Sequence, residues 1–410
     1  MTLRLDAEER AMLAGAVSPA AALAMRLVVR LAEAGHARRL LPIESAHIDS
    51  CLYHGQAGLD FARKLVDGGG HVRVPATLNV SSLDLLHPDL YRGSPETAAA
   101  ARSLMDAYEQ LGCRPTWTCA PYQLVERPRF GEHIAWAESN AIVFANSVLG
   151  ARTDRYGDFI DICAAITGRV PAAGLHLDAE RRARLVLDVG GLTGATRRAS
   201  WFPAVLGHLL GRAAGTGVAA VVGLESMSED GMKALGAAAA SSGGVAMFHL
   251  VGITPEAPTM GSATGGATVD HLAVTEEMIR GARADLTTAS GERVDAVSVG
   301  TPHFSVGEFK ELARLLAGRS AVIPLYANTG RDVLVEVMGT SWWDDLASVR
   351  IVTDTCTYIT PILEEGVEVV MTDSAKWAYY APGNLGVSVV FGSLAECVES
   401  AVTGRMIRHD

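Results

Sequence analysis

The sequence lacks several features that would assign it quickly to a class. Its six cysteines include no Cys-x-x-Cys pair, which excludes a zinc ribbon or ferredoxin-type run, and in so long a chain they do not form a disulfide framework. No apolar run reaches the ~18 residues that cross a bilayer, and the amino terminus lacks a signal-peptide core. Basic residues are outnumbered 35 to 46, a net charge of −11, which argues against a nucleic-acid partner. We therefore expect a soluble, cytoplasmic protein whose metal ligands, if any, come from separate loops.

What is present suits a compact α/β enzyme. The 410 residues are 49% hydrophobic and include 42 glycines, enough for two or three domains with a large core. We predict an N-terminal α/β region over residues 1–215 and a C-terminal parallel α/β region over residues 216–410. Buried-looking strands near 218–225, 245–256, 294–303 and 321–326 alternate with polar loops and helices in the second region.

The most informative stretch runs from residue 353 to 376. Two β-branched runs each end in Thr-Asp, and Cys356 and Lys376 follow within three residues. Ligands of an open α/β sheet bind just past the carboxyl ends of its strands. We therefore expect Cys356 and Lys376 to stand side by side at one edge as a metal ligand and a fixed cation. Two ordinary turns with a buried free cysteine remain the alternative.

Two earlier loops carry further candidates. Residues 41–58 place Ser45, His47, Asp49 and Cys51 close together, a density of reactive groups that indicates substrate or metal contacts or, alternatively, a polar turn. Residues 116–122 are predicted to form a short strand that breaks at Cys119, and this cysteine suits a metal ligand and a core residue equally well. A further short strand is predicted over residues 72–75.

Residues 130–169 form the next dense stretch. Glu138, Asn140 and Asn146 interrupt an otherwise apolar segment. Unpaired buried polar groups cost roughly 1–3 kcal/mol each, so such a cluster favours a site. Arg152 and Arg155 are candidates to hold a carboxylate, whereas Cys163 is predicted to be structural.

Six segments together resemble the aconitase X family, in the same order and over essentially the whole chain. They are Ser45–Cys51, Thr118–Tyr122, Glu138–Thr153, Val251–Ala257, Thr353–Cys356 and Asp373–Lys376. The resemblance implies an α/β, aconitase-like multi-domain catalytic part, with parallel sheets flanked by helices. Members of the family are dehydratases with an iron centre, acting on cis-3-hydroxy-L-proline or mevalonate 5-phosphate.

The resemblance also implies ligands and a partner. Cys119 and Cys356 match the family's metal-ligand cysteines, whereas Thr301 stands where the phosphomevalonate type has a third cysteine. Cys51 is the expected replacement, and Glu138 can assist either a smaller cluster such as [2Fe-2S] or a mononuclear iron. The family's small swivelling domain is not recognised in residues 1–410, so a separate small subunit is expected unless this member dispenses with it.

The reaction expected from this resemblance is dehydration of cis-3-hydroxy-L-proline to 1-pyrroline-2-carboxylate. The base is Ser45 or His47, positioned by Asp49, or a group of the partner; Lys376 and Arg152 bind the carboxylate. Further substrate contacts are expected from Glu138, Ser139, Asn140, Asn146, Thr153 and Ser374. The alternatives are a dehydratase or isomerase of another hydroxy acid, including mevalonate 5-phosphate, and an inactive scaffold subunit.

Overall fold

The computed structural model describes residues 3–408, and the chain divides into two compact units. Unit 1 comprises Met1–Leu83 and Ser94–Arg182, and unit 2 comprises Asp84–Gly93 and Ala183–Asp410. The domain boundary predicted at residues 215/216 thus falls inside unit 2. The reason is that residues 185–214, which carry no clear sequence pattern, contain a strand and two helices of that unit.

Unit 1 is mainly helical, and its helices begin at recognisable caps. Asp6 forms a capping box with Glu9, while Ser18 and Ser94 cap helices that have proline at the first position, where its missing N–H costs nothing. The helices are α1 (Ala7–Leu13), α2 (Pro19–Ala34), α3 (Gln56–Asp67), α4 (Pro95–Gln110), α5 (Ser139–Phe144) and α6 (Ile160–Thr167). A π turn, Ala145–Leu149, follows α5 directly.

The strands of unit 1 are short and form two small sheets. They are β1 (Leu40–Pro42), β2 (Ala46–Ile48), β3 (Ala76–Leu78), β4 (Ala135–Trp136) and β5 (Arg169–Pro171). β1 pairs with β5 antiparallel, and β2 lies between β3 and β4 in a parallel sheet. The strand predicted over residues 72–75 begins at Ala76 instead. The strand predicted over residues 116–122 is wrong: Trp117 has a φ of 44°, which breaks an extended run, and a short 3-10 turn starts at Pro121.

Unit 2 alternates strands and helices, as its sequence pattern predicts. Its strands are β6 (Leu185–Asp188), β7 (Ala219–Val222), β8 (Phe248–Leu250), β9 (Asp270–Ala273), β10 (Ala296–Phe304), β11 (Leu325–Thr329), β12 (Val349–Val352), β13 (Val369–Thr372) and β14 (Ser388–Phe391). Its helices are α7 (Gly194–Arg198), α8 (Phe202–Ala214), α9 (Glu229–Ser242), α10 (Met260–Thr264), α11 (Glu276–Asp285), α12 (Val306–Leu316), α13 (Arg331–Met338), α14 (Ala375–Leu385) and α15 (Leu394–Thr403). A capping box of Ser305 and Glu308 opens α12.

Two parallel sheets organise unit 2. One has the order β8-β7-β6-β9 and the other β12-β11-β10-β13-β14. In the five-stranded sheet the chain starts in the middle at β10, goes outward to β12, and returns to β13 on the other side. The carboxyl ends of β10 and β13 therefore border the switch point, where such sheets bind ligands. Among residues 3–408, no helix has the length and hydropathy that would let it cross a membrane.

Candidate active site

The loop that follows β12 folds back across the five-stranded sheet of unit 2. Asp354, in a left-handed conformation with φ 61°, is held by Arg331 through two hydrogen bonds of 2.6 Å. Further along, the Thr357 backbone N–H donates to Asn328 Oδ1 at 2.9 Å, and the Thr357 hydroxyl lies 2.6 Å from the Ser298 hydroxyl. Asn328 belongs to β11 and Ser298 to β10, so the loop is fastened over the neighbouring strands.

This fastening brings Cys356 to the end of β10. The ligand atoms of Cys356 and His303 lie within 4.8 Å of each other, and both side chains are buried. His303 Nε2 also lies 3.1 Å from the Thr355 carbonyl, while the buried Lys233 ammonium donates to the His303 carbonyl at 3.2 Å. Imidazole and thiolate side by side are a donor set that suits iron and other transition metals.

Lys376 lies at the start of α14. Ser374 caps this helix by accepting the Trp377 N–H at 3.0 Å, and its hydroxyl donates to the Thr301 carbonyl. Lys376 Nζ sits 5.9 Å from the ring centroid of Tyr358, in the same loop as Cys356. The predicted pair therefore shares the carboxyl edge, although β11 and β10 separate β12 from β13. Cys356 and Lys376 do not follow adjacent strands, and the loop after β12 folds back over β11 and β10 towards Lys376.

In unit 1, a buried carboxylate clamps the loop that follows β2. Asp161 accepts the backbone N–H groups of Asp49 and Ser50 at 2.8 and 2.9 Å, and the Ser50 hydroxyl at 2.9 Å. Burial raises the pKa of Asp161 to about 6, although these hydrogen bonds lower it. The loop conformation thus depends on a group more than 100 residues away in sequence.

Asn79 joins two acidic side chains in this unit. Its Nδ2 donates to Asp49 Oδ1 and, at 3.3 Å, to Glu138 Oε2. Burial, together with the nearby charge of Glu138, raises the pKa of Asp49 well above its usual value. The negative charge of Glu138 disfavours the ionised form of Asp49 because like charges repel.

His47 and Ser45 flank the start of the same loop. His47 Nδ1 lies 2.8 Å from Thr77 Oγ1, and burial lowers the pKa of His47 to about 4 despite the charge of Glu138. The imidazole is therefore neutral at pH 7. Ser45 lines a separate cavity of about 220 Å³ together with Thr77, Arg127 and others.

Glu138 also organises the start of α5. Its Oε1 accepts the Ser139 hydroxyl at 3.1 Å and the Asn140 amide Nδ2 at 2.7 Å. The same Nδ2 of Asn140 donates to the Cys119 carbonyl at 3.0 Å, and Tyr122 donates to its Oδ1 at 2.6 Å. The structure thus brings Glu138, Ser139 and Asn140 together with Asp49 and with the backbone of Cys119.

Cys51 has the surroundings of a protonated thiol. Its Sγ donates to the carbonyls of Ile48, Asn79 and Val80 at 3.3–3.7 Å. Burial, followed by the charge of Asp49, raises its pKa well above the usual value. Because the thiolate is the metal-binding form, these surroundings do not favour Cys51 as a ligand.

The Asn146 side chain holds the backbone of Thr153. Asn146 donates to the Thr153 carbonyl and accepts the Thr153 N–H, both at 3.0 Å, and Arg181 donates to Asn146 Oδ1 at 3.0 Å. Arg152 donates to the His176 carbonyl at 3.0 Å and pairs with the exposed Asp178. The substrate contacts predicted for Arg152, Asn146 and Thr153 stay predictions.

A buried histidine pair near Arg152 is expected to lower the stability of the fold at acid pH. His176 Nδ1 lies 3.0 Å from His133 Nδ1, and burial, with His133 and two arginines nearby, lowers the pKa of His176 to about 3. Between pH 6.5 and about 3 the unfolded chain binds a proton there that the folded chain rejects. As the pH is lowered through this window, the free energy of unfolding should therefore decrease. This group should contribute up to about 1.4 kcal/mol per pH unit to the decrease.

The acid-stability prediction is checked by denaturant unfolding between pH 7 and 4. His176→Gln should show a shallower loss of unfolding free energy than the unaltered chain, whereas His271→Gln, at an exposed position, should keep the original slope. Equal slopes for all three proteins would contradict the assigned pKa.

Three residues of these two clusters were not among the predicted site residues. His303 belongs to the motif Gly300–His303, whose Thr301 drew attention through the missing cysteine. Asn79 follows an unremarkable short strand, and Asp161 looks like an ordinary first-turn acid of a helix. Of these three residues, only His303 could have been predicted as a site residue from the sequence, because it follows Pro302 at the end of a buried strand.

Comparison with known proteins places the chain in a family. Models described as the first, second and third domains of aconitase X match residues 2–179, 183–284 and 294–403, respectively. The crystal structure of aconitase X from Thermococcus kodakaraensis, in its holo form, superimposes with a TM-score of 0.88 at 32% identity, covering 97% of this chain and all of that one. The chain belongs to the aconitase X family, and both the predicted resemblance and the predicted fold class are confirmed.

Curated relatives fall into two groups by name. Cis-3-hydroxy-L-proline dehydratases of Pseudomonas aeruginosa and Hypocrea jecorina are 46% and 41% identical over 98% of this chain, which spans 70% and 69% of their lengths. A phosphomevalonate dehydratase large subunit of Methanothermobacter thermautotrophicus is 35% identical over 94% of this chain and 96% of its own length.

Proposed function

We propose that the chain is a metal-dependent hydro-lyase that converts cis-3-hydroxy-L-proline to 1-pyrroline-2-carboxylate and water. The observation that carries the substrate is the 46% identity to a dehydratase of that name, well above the 35% to a phosphomevalonate dehydratase large subunit. Dehydration needs a base for the α-proton, a cation for the carboxylate and assistance to the departing hydroxide.

Iron is the proposed metal, and the donor set is compatible with it. His303 and Cys356 offer an imidazole and a thiol within 4.8 Å, and we propose Cys119 as a further ligand from its family motif. When bound, iron supplies a Lewis acid for the hydroxyl that leaves. Either a small cluster or a single ion suits a set containing histidine.

Lys376 is proposed to bind the substrate carboxylate. Its ammonium is buried, with 3% of the residue exposed, so its attraction for a carboxylate is screened less than at a surface. Arg152 stays a predicted second contact of the substrate carboxylate, although its guanidinium already pairs with Asp178 and donates to the His176 carbonyl. Ser374, Asn146 and Thr153 stay predicted contacts as well.

His47 is the proposed proton acceptor. Burial keeps the imidazole neutral at pH 7, although its contacts with the Thr118 backbone and the Asn79 side chain raise its pKa. Nε2 makes no well-formed hydrogen bond among the described residues. Thr77 Oγ1 lies 3.4 Å from the Ala46 carbonyl, so the Thr77 hydroxyl can donate to that carbonyl and accept a hydrogen bond from Nδ1–H of His47. In this tautomer the lone pair of the imidazole is on Nε2. Asp49 and Ser45 are proposed to assist, Asp49 in its protonated form.

A small partner chain is proposed to complete the enzyme. The relatives named as large subunits of phosphomevalonate dehydratase support this for their own branch of the family. We extend it to this chain because their match covers nearly the whole of both sequences. Co-expression with a candidate small chain should yield a complex with higher turnover than the chain alone.

Mevalonate 5-phosphate is the alternative substrate. A phosphate carries nearly two charges and usually recruits several basic groups, whereas the sequence offers Lys376, Arg152 and Arg155 as candidate cations. Thr301, in place of the third cysteine expected for that type, also disfavours it.

The proposed function is tested with iron-loaded protein prepared without oxygen. Cis-3-hydroxy-L-proline should be consumed with stoichiometric appearance of 1-pyrroline-2-carboxylate, and chelation of iron should abolish the reaction. Absence of turnover by iron-loaded protein, with and without the partner, would refute the proposal.

A further inference from the structure

Asp373 stands in the wall between two cavities of unit 2. The larger cavity, of about 510 Å³, lies beside the amino-terminal ends of α9, α12 and α15, and its rim carries the exposed residues Arg198, Ser200 and Ser228. The smaller one, of about 50 Å³, is lined by Lys376, Thr301 and Ser374. Asp373 and Glu308 line both cavities.

The smaller cavity is suited to hold water. Its volume exceeds that of one water molecule, and Thr301 Oγ1 is a buried hydroxyl without a hydrogen-bond partner among the described residues. A buried polar atom of this kind usually has an ordered water as its partner. Lys376, the proposed carboxylate-binding cation, borders the same space.

Each dehydration changes the protonation states of two groups of the enzyme. The Cα–H bond breaks and its proton passes to the base, while the Cβ–O bond breaks and the oxygen takes a proton to leave as water. The total number of protons is unchanged over the turnover. However, the proton donor has lost one proton and the base has gained one. Both groups must then exchange protons with the solvent before the next turnover.

We propose that Asp373 relays protons from the solvent of the larger cavity, through water in the smaller cavity, to the oxygen that leaves the substrate. The carboxyl group gives up its proton on the side of Lys376 and regains one on the side of Arg198. This inference rests on the proposed dehydratase function. Asp373 does not touch the substrate and is a proton-transfer residue rather than a catalytic one.

The surroundings of Asp373 suit such an exchange near neutral pH. Burial, followed by the charge of Glu308 on α12, raises the pKa of Asp373 to about 7, while Lys233 on α9 lowers it. The other charged or titratable groups nearby are Asp230 and Glu311, the arginines of α7, and Glu396 and Cys397 of α15. With both forms populated at pH 7, the carboxyl group can donate and accept protons without a large energetic cost.

The test compares Asp373→Asn and Asp373→Ala with Glu311→Gln. Glu311 lines only the larger cavity and pairs with Arg314. The iron-loaded protein, in the assembly in which it purifies, is assayed with cis-3-hydroxy-L-proline. We expect kcat of both Asp373 variants to fall by about a hundredfold, the lower end of the usual contribution of a proton-transfer group. KM and the melting temperature should stay nearly unchanged, and Glu311→Gln should behave like the unaltered chain.

Two readouts separate a relay from a structural role. The unaltered protein should lose kcat as the pH rises above about 7 because the donor form disappears, and Asp373→Asn should lack this step. Imidazole, small enough to enter the larger cavity, should restore turnover of Asp373→Ala in a concentration-dependent way. Unchanged kcat in both Asp373 variants, or loss of kcat without rescue, would overturn the relay.

A substrate-independent measurement keeps this inference distinct from the proposed function. The difference infrared spectrum between the unaltered chain and Asp373→Asn should contain the carbonyl band of a protonated carboxyl group at pH 6, and this band should fade as the pH rises through 7. Its absence at pH 6 overturns the relay. Lack of turnover by the unaltered protein refutes the dehydratase function instead.

Discussion

Cys356→Ala should lose bound iron, visible absorption and activity together. Cys356 and His303 present their ligand atoms within 4.8 Å of each other in a buried site, and removal of the thiolate leaves too few donors of the kind that hold iron. Cys119→Ala should have the same effect if the family motif carries over. Iron content after anaerobic reconstitution is measured beside the spectrum.

Cys163→Ala and Cys397→Ala are the matched controls. Both cysteines are fully buried on helices, α6 and α15, so their replacement should lower stability by about 1 kcal/mol and leave iron unchanged. Full iron content in Cys356→Ala would refute the ligand assignment.

The third ligand is decided by a second pair of variants. His303→Ala should lose iron, whereas Cys51→Ser should retain it because the Cys51 thiol already donates to backbone carbonyls. Loss of iron in Cys51→Ser with retention in His303→Ala would instead support the cysteine expected from the sequence.

Lys376→Ala should lower kcat/KM by about 10²–10³-fold, the usual effect of removing a group that stabilises developing charge in a closed site. The enediolate-like charge that builds up on the carboxylate would lose its nearest proposed cation. Lys376→Arg should recover part of the rate because it restores a positive charge, though not the geometry.

Binding and chemistry are separated for Lys376 with a planar analogue, pyrrole-2-carboxylate, measured by calorimetry. Lys376→Ala should bind it more weakly than the unaltered chain, while Lys310→Ala, an exposed residue of α12, should bind it equally well. Unchanged analogue affinity and unchanged kcat/KM in Lys376→Ala would show that this lysine does not serve the carboxylate.

Local sequence patterns predicted the parallel architecture of unit 2 because each buried strand ends in Gly, Pro or a polar residue. They could not predict the strand order. Cys356 and Lys376 follow β12 and β13, which look consecutive in sequence, whereas β10 and β11 lie between them in the sheet. Long-range hydrogen bonds of Thr357 with Ser298, Asn328 and Trp377 fasten the Cys356 loop over the sheet and against α14.

The candidate site of unit 1 shows the same limit. A density of polar residues in a short stretch pointed to the loop around Asp49 as a candidate site, because buried polar groups must find partners. The partners themselves, Asp161 and Asn79, lie 112 and 30 residues away. Arg152 was assigned a substrate role from its type, while its pairing with Asp178 depends on a turn that local sequence does not reveal.

A side-by-side assay of cis-3-hydroxy-L-proline and mevalonate 5-phosphate, with the same iron-loaded preparation, tests the central claim most directly. We predict turnover of the hydroxyproline with formation of 1-pyrroline-2-carboxylate, and no measurable turnover of the phosphate ester. Turnover of mevalonate 5-phosphate, with none of the hydroxyproline, would contradict the proposed substrate and the assignment of the cations around Lys376.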